Sequence, residues 1–197
     1  MIDPIVELKV RAELLHRGVE ASEPVALGRL RVLPEHRKAD DQALQALASG
    51  IQRKHCLAAV AREAGFSSWE HARRILDGDA AESDFGKLLY AAGAAGSSAH
   101  LNHWFATYEE ARAFHAETSG ADERRYLLAY QRHFFVVDRH FIETLGLAPE
   151  DADWKAIGWD WARPRGAASL GARRRLYGKL LTVGRRQSEQ AIQTDGR

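Results

Sequence analysis

Residues 54–76, KHCLAAVAREAGFSSWEHARRIL, leave the least freedom about what they become. Cys56 with Leu57, Val60 with Ala61, and Ala64 recur at helical spacing and make one apolar stripe. Gly65 follows at the position where a helix stops by turning left-handed, and Phe66 is placed to pack back on the last turn. Ser67 and Glu70 supply an S-x-x-E capping box for a second helix, with Trp69, Ala72, Ile75 and Leu76 on its inward side. A helix–cap–helix unit is expected here, and the rest of the first 80 residues arranges itself around it.

Upstream, Asp3–Pro4 is a helix start, and Ile5, Leu8, Ala12 and Leu15 mark the buried face as far as Gly18. A second helix over 22–33 turns Val25, Leu30 and Leu33 inward and stops at Pro34. A third opens at Asp40 and Asp41 and closes at Gly50. A further short helix over 83–92 leads into AAGAAGSS, whose small residues make 91–98 a linker between a helical module (1–90) and the remainder of the chain.

After that linker the periodicity changes. Residues 100–106, HLNHWFA, read as a strand, and Thr107 with Glu110 caps a helix carrying Ala111 and Phe114. Residues 126–130 and 133–137 are aromatic and β-branched runs separated by Gln131 and Arg132, which predicts a hairpin or one bent strand. Asp138 caps a short helix ending at Gly146, and another short helix falls in 149–157. IGWDW places Ile157, Trp159 and Trp161 on one side of an extended segment. A last helix covers 169–182. The fold class expected is α+β: the all-helical N-terminal module, a small α+β module (99–183), and a flexible polar tail (184–197).

Composition narrows function mainly by exclusion. Across 197 residues, 28 Lys and Arg balance 27 Asp and Glu, so no global field favours nucleic acid or a membrane. The single cysteine, Cys56, cannot form an intrachain disulfide and suits a reducing compartment. The opening stretch lacks the unbroken apolar core of a signal peptide, and no apolar run reaches the roughly 20 residues of a spanning helix. A cytoplasmic location without membrane contact is expected. Glycine-loop nucleotide motifs, G-x-S-x-G, HExxH and CxxC are all absent.

Four groups of residues are candidates for function. VAREAGFS reads like the turn of a DNA-binding helix-turn-helix, although His71 occupies a place where repressor-type motifs bury an aliphatic. Residues 163–186 hold eight basic side chains and no acid, the reverse of the acidic stretch 138–160. Arg163, Arg165, Arg173, Arg174, Arg175 and Lys179 are therefore candidates for binding a polyanion such as nucleic acid, since guanidinium forks match phosphate oxygens. The alternative is that this basic helix docks on the acidic stretch of its own chain. Among the histidines, His100, His103 and His133, with His115 and His140 nearby in sequence, are candidate divalent-metal ligands, of which a zinc or iron site needs about three. Trp154, Trp159 and Trp161 with Phe134, Phe135 and Phe141 suit either a stacking surface or the core of the α+β module.

Two resemblances bear on these candidates. AELLHRGVEASEPVALGRL and AVAREAGFSSWEHA, with the pattern A-R-E-x-G-F-x-S-W, resemble the helical segment that precedes ankyrin repeats in many bacterial proteins; no ankyrin repeats follow here. That resemblance brings no chemistry of its own and no repeat-scaffold function to this chain; a protein partner for the helical module is a separate expectation. HLNHWFATYEEARAFHAETSG is similar to the opening strand–helix of a vicinal-oxygen-chelate, glyoxalase-like module, with His100, Glu109, Ala113, Phe114 and Gly120 at its spacing. It implies a small metal-dependent enzyme, active as a homodimer because the chain holds one such module, with His100 as a metal ligand. The leading expectation is a non-enzymatic binding protein, and the metalloenzyme is the alternative.

Overall fold

The computed structural model describes residues 3–79, 81–93, 102–120, 123–164 and 166–195, with the side chains of 91–93 and 184–195 excepted. Two units result, Ile5–Arg73 and a second made of Met1–Pro4 with Arg74–Arg197. The fold class is α+β, with a helical N-terminal part and one small antiparallel sheet.

The helical unit contains α1 (Pro4–Glu20), α2 (Pro24–Arg29), α3 (Asp41–Leu47), α4 (Arg53–Glu63) and the start of α5 (Trp69–Asp77). Leu8, Ala12, Leu15 and Val19 of α1 are fully or almost fully buried, as are Leu30, Leu33, Leu44, Cys56 and Val60. Gly18 does not end α1. An added Cβ would stand 2.7 Å from Ala26 Cβ, so the glycine lets α2 approach α1 closely. The left-handed residue that ends the turn is Ser22, at φ 56°. The second helix also breaks earlier than its periodicity suggests: a single turn of 3-10 helix over Leu30–Val32 follows α2, and Val25 is 61 % exposed. Arg29 Nε and Nη2 donate to the two oxygens of Glu63 at 2.9 and 2.7 Å, which joins α2 to α4.

The central helix–cap–helix forms as expected, with a different cap. Gly65 lies at φ 86° and Phe66 N donates to Ala61 O, which closes α4. Helix α5, however, is capped by Ser68 Oγ, which accepts from His71 N at 3.0 Å, while His71 Nδ1 accepts from Ser67 N at 3.1 Å. The cap therefore sits one residue later than Ser67–Glu70, and the imidazole takes the amide of Ser67, the residue before the N-cap, in place of the N-cap's own. Glu70 is left on the exposed side, and His71 is buried against Phe66, with ring centroids 5.7 Å apart.

In the second unit the sheet order is β1 (His103–Phe105), β3 (His133–Val137), β2 (Tyr126–Tyr130), all antiparallel. Gln131 takes φ 51° in the tight turn between β2 and β3. Register pairs His103 with Val136, Trp104 with Phe135 and Tyr130 with His133. One sheet face therefore carries His103, Phe105, Phe134, Val136 and Leu127, and the other carries Trp104, His133, Phe135 and Leu128. Helix α7 (Tyr108–Thr118), capped by Thr107 as expected, covers the first face through Phe114 and Tyr108. Phe141 of α8 (Arg139–Thr144) and Tyr90 of α6 (Leu88–Gly93) pack on Phe135 from the second. The hairpin and the Asp138 cap agree with the sequence reading. The IGWDW segment does not. Trp159 sits at φ 55° in a turn, so Ile157 and Trp161 are buried while Trp159 lies half-exposed under the Arg124 guanidinium. Only Asp160 continues as strand, bridging Leu127 in parallel.

Helix α10 (Ala167–Asp195) is far longer than 169–182, and no helix among the described residues is long and apolar enough to cross a membrane. It packs on α9 (Ala152–Ala156), with Tyr177 edge-on to Trp161 at 4.7 Å. The tryptophan cluster is thus core: Trp154 and Trp161 are both fully buried.

Candidate functional site

The basic stretch is largely consumed within its own unit. Arg175 Nε and Nη2 both reach Asp153 Oδ1, at 2.9 and 2.5 Å, and Lys179 Nζ bridges Asp151 and Asp153 at 2.5 and 2.8 Å. Burial alone would raise the Asp153 carboxyl, but the hydrogen bonds from Arg175 and Lys179 outweigh it and hold the group below the ordinary aspartate range. Arg174 divides its guanidinium between Asp3 at 2.7 Å and Asp77 at 2.8 Å. Arg163 stacks over the Tyr108 ring at 4.4 Å and stands 3.5 Å from Glu109. Arg165 lies outside the described residues, as do the side chains of Arg185 and Arg186. The alternative weighed from the sequence, a basic helix docked on the acidic stretch, describes this geometry for Arg175 and Lys179.

Among the described residues the histidines do not converge. His103 and His133 project from opposite faces of the sheet, His103 onto Phe114 with centroids 4.5 Å apart and His133 into solvent. His140 pairs with Glu143 on the surface of α8. His115 is buried; its Nε2–H donates to Arg125 O at 3.0 Å, Nδ1 lies 3.2 Å from Arg112 Nη1, and burial pushes its pKa below the ordinary value. His100 lies outside the described residues. Among the described residues no group of three His, Cys, Asp or Glu could hold a metal ion. His103 and His133 therefore do not share one divalent ion, because alternation along β1 and β3 puts them on opposite faces.

The two arginines of α5 that a helix-turn-helix would present each stand beside a carboxylate. Arg73 stands 3.5 Å from Glu70 and Arg74 is 2.9 Å from Glu82. Cys56 is buried, and that burial raises its thiol above the ordinary value, leaving no thiolate nucleophile.

What the structure does assemble is a cleft of about 430 Å³ in the second unit, between the end of α5, the start of α7, the 162–164 segment and α10. Arg173 is 6 % exposed in its wall. Its Nη1 donates to the carbonyls of Trp161 at 3.3 Å and Ala162 at 3.2 Å, and no carboxylate among the described residues pairs with it. Its Nη2 lies against Gly78, where an added Cβ would meet it at 3.2 Å and Leu170 Cδ2 at 2.9 Å. Gly78, at φ 83°, keeps the cleft open at this point. Across the cleft, Tyr108 donates its hydroxyl to Asp160 Oδ2 at 2.6 Å, and Asp160 Oδ1 accepts from Arg163 N at 3.0 Å. Those two bonds fix the wall between α7 and the 160–163 turn. Sequence reasoning picked out Arg173 for its charge and missed the cleft, because Gly78, Tyr108, Leu170 and Arg173 meet only through tertiary packing.

The helical unit carries a wider hollow of about 580 Å³ lined by His16, Glu20, Gln45, Ser49, Gln52 and Arg53. Its polar groups are exposed or paired, His16 with Ile51 O at 3.2 Å and Arg53 with Glu13 at 3.5 Å, and no buried charge faces it. Val6, Val10 and Leu14 lie on the outer side of α1, each about half exposed.

No family model, curated protein or solved structure matches this chain.

Proposed function

We propose that this chain is a binding protein that holds a small ligand in the cleft of its α+β unit. One observation carries the reading: a buried guanidinium, Arg173, lines that cleft with backbone carbonyls as its only hydrogen-bond partners among the described residues. Taking a charge out of water is costly unless it is paired, and a site that keeps one unpaired beside a cavity is built to receive the partner. The apolar lining of Ile75, Phe85 and Leu170 gives a ligand surface to bury, which is how small-molecule sites gain affinity.

Extended nucleic acid is disfavoured as the principal ligand, because Arg174, Arg175 and Lys179 already hold carboxylates and would have to release them. The test is two-dimensional NMR of the whole chain with a mixture of neutral, cationic and anionic fragments. Shifts at the amides of Gly78, Ala162 and Leu170 are expected for some of them. If no fragment moves those amides, the reading is wrong.

A further inference from the structure

The distribution of charge around this cleft differs between its wall and its rim. Arg173 stands in the buried wall, whereas Asp79 and Glu109 are exposed at the edge. Glu82, the remaining acid of the lining, is committed to Arg74 at 2.9 Å and to the amides of Ser83 and Asp84 at 3.0 Å each. The same lining carries the apolar side chains of Ile75, Phe85, Ala162 and Leu170.

We infer, on the reading that the cleft is a ligand site, that its ligand is a small monocarboxylic acid with an apolar body. A carboxylate matches the part of the guanidinium that Nη1 leaves unused, and Gly78 is what gives it access. The apolar body replaces water against Ile75, Phe85 and Leu170. At the rim Glu109 is already met by Arg163 at 3.5 Å, so it is Asp79 that selects against phosphates and dicarboxylates, whose second charge would lie beside it. Of the two cations in the lining, exposed Arg163 is held by Glu109, and buried Arg173 is left to balance one anionic charge.

The experiment is calorimetric titration of the full chain with 3-phenylpropanoate, its neutral amide and inorganic phosphate. The acid is expected to bind about tenfold or more tightly than the amide, since a charge-assisted pair replaces a neutral one, and phosphate is expected not to compete. In Arg173→Gln the acid should fall to the level of the amide. Arg173 also braces the carbonyls of Trp161 and Ala162, so a second variant covers the case in which this one fails to fold. Leu170→Trp fills the apolar wall and keeps the guanidinium; it should weaken acid and amide by the same factor. Equal binding of acid and amide, or phosphate binding as tightly as the acid, overturns the monocarboxylate while leaving the cleft as a site. If neither the acid nor the amide binds while other fragments still shift the cleft amides, the ligand class is again wrong and the site stands. Loss of every fragment shift removes both.

Discussion

Arg175 places two guanidinium nitrogens on a single oxygen of Asp153, Nε at 2.9 Å and Nη2 at 2.5 Å, and so fastens α10 to the first turn of α9. The carboxylate is 9 % exposed and receives Lys179 on its other oxygen. This arrangement is where the charge asymmetry of the sequence goes: the basic helix neutralises the acidic stretch of its own unit instead of facing a partner.

Asp153→Asn should therefore cost about 2–3 kcal/mol, because Arg175 loses its charge-assisted bonds and Lys179 keeps only the one to Asp151. Arg175→Ala and Lys179→Ala should be sub-additive with it in a double-mutant cycle read by urea denaturation. Additive losses would show that the three side chains do not act as a unit.

Stability should fall with acid in two steps whose sign follows from the same rule. His115 is held below the ordinary histidine value of 6.5, first of all by burial, and Asp153 is held below 3.8 by its hydrogen bonds despite burial. In both cases the unfolded chain binds the proton first, so the stabilisation is complete above the unfolded pKa and is lost as pH falls through the folded one. The melting temperature should drop between about pH 7 and about pH 5 in the parent and change less in His115→Gln. An identical slope in the variant would remove His115 as the cause.

The cap of α5 distinguishes two readings of SSWEH. Ser68→Ala removes the acceptor for His71 N and should cost about 1 kcal/mol. Glu70→Ala loses only an exposed contact with Arg73 at 3.5 Å and should cost a few tenths of that. The reverse order in thermal denaturation would restore the Ser67–Glu70 box.

Binding of duplex DNA should be weak, with a dissociation constant no tighter than the micromolar range at about 150 mM salt. Fluorescence anisotropy with a labelled duplex measures it. Tighter binding with a steep salt dependence would mean that the internal pairs of Arg174, Arg175 and Lys179 open for phosphate.

Much of the framework was legible as local chemistry. Gly65 and Phe66 end α4, Thr107 and Asp138 cap α7 and α8, and the aromatic runs around Gln131 make the hairpin, because each of these depends on residues within a turn of one another. The misreadings have a common origin. Gly18 looks like a terminator until Ala26 is placed against it, Val25 looks buried until α2 ends, and Trp159 looks like a strand residue until its backbone turns left-handed. His103 and His133 part for the same reason, since the β1–β3 register decides which face each one takes.

By itself, then, the sequence determined the helix–cap–helix, the capped short helices, the hairpin and the α+β class, all products of contacts a few residues apart. Tertiary structure alone decided which cations are spent and which are kept. Arg173, Arg174 and Arg175 are consecutive and identical in type, yet one faces a cleft, one bridges Asp3 and Asp77, and one holds Asp153. Successive residues of a helix point about 100° apart, so their partners come from three directions that only the packed chain supplies.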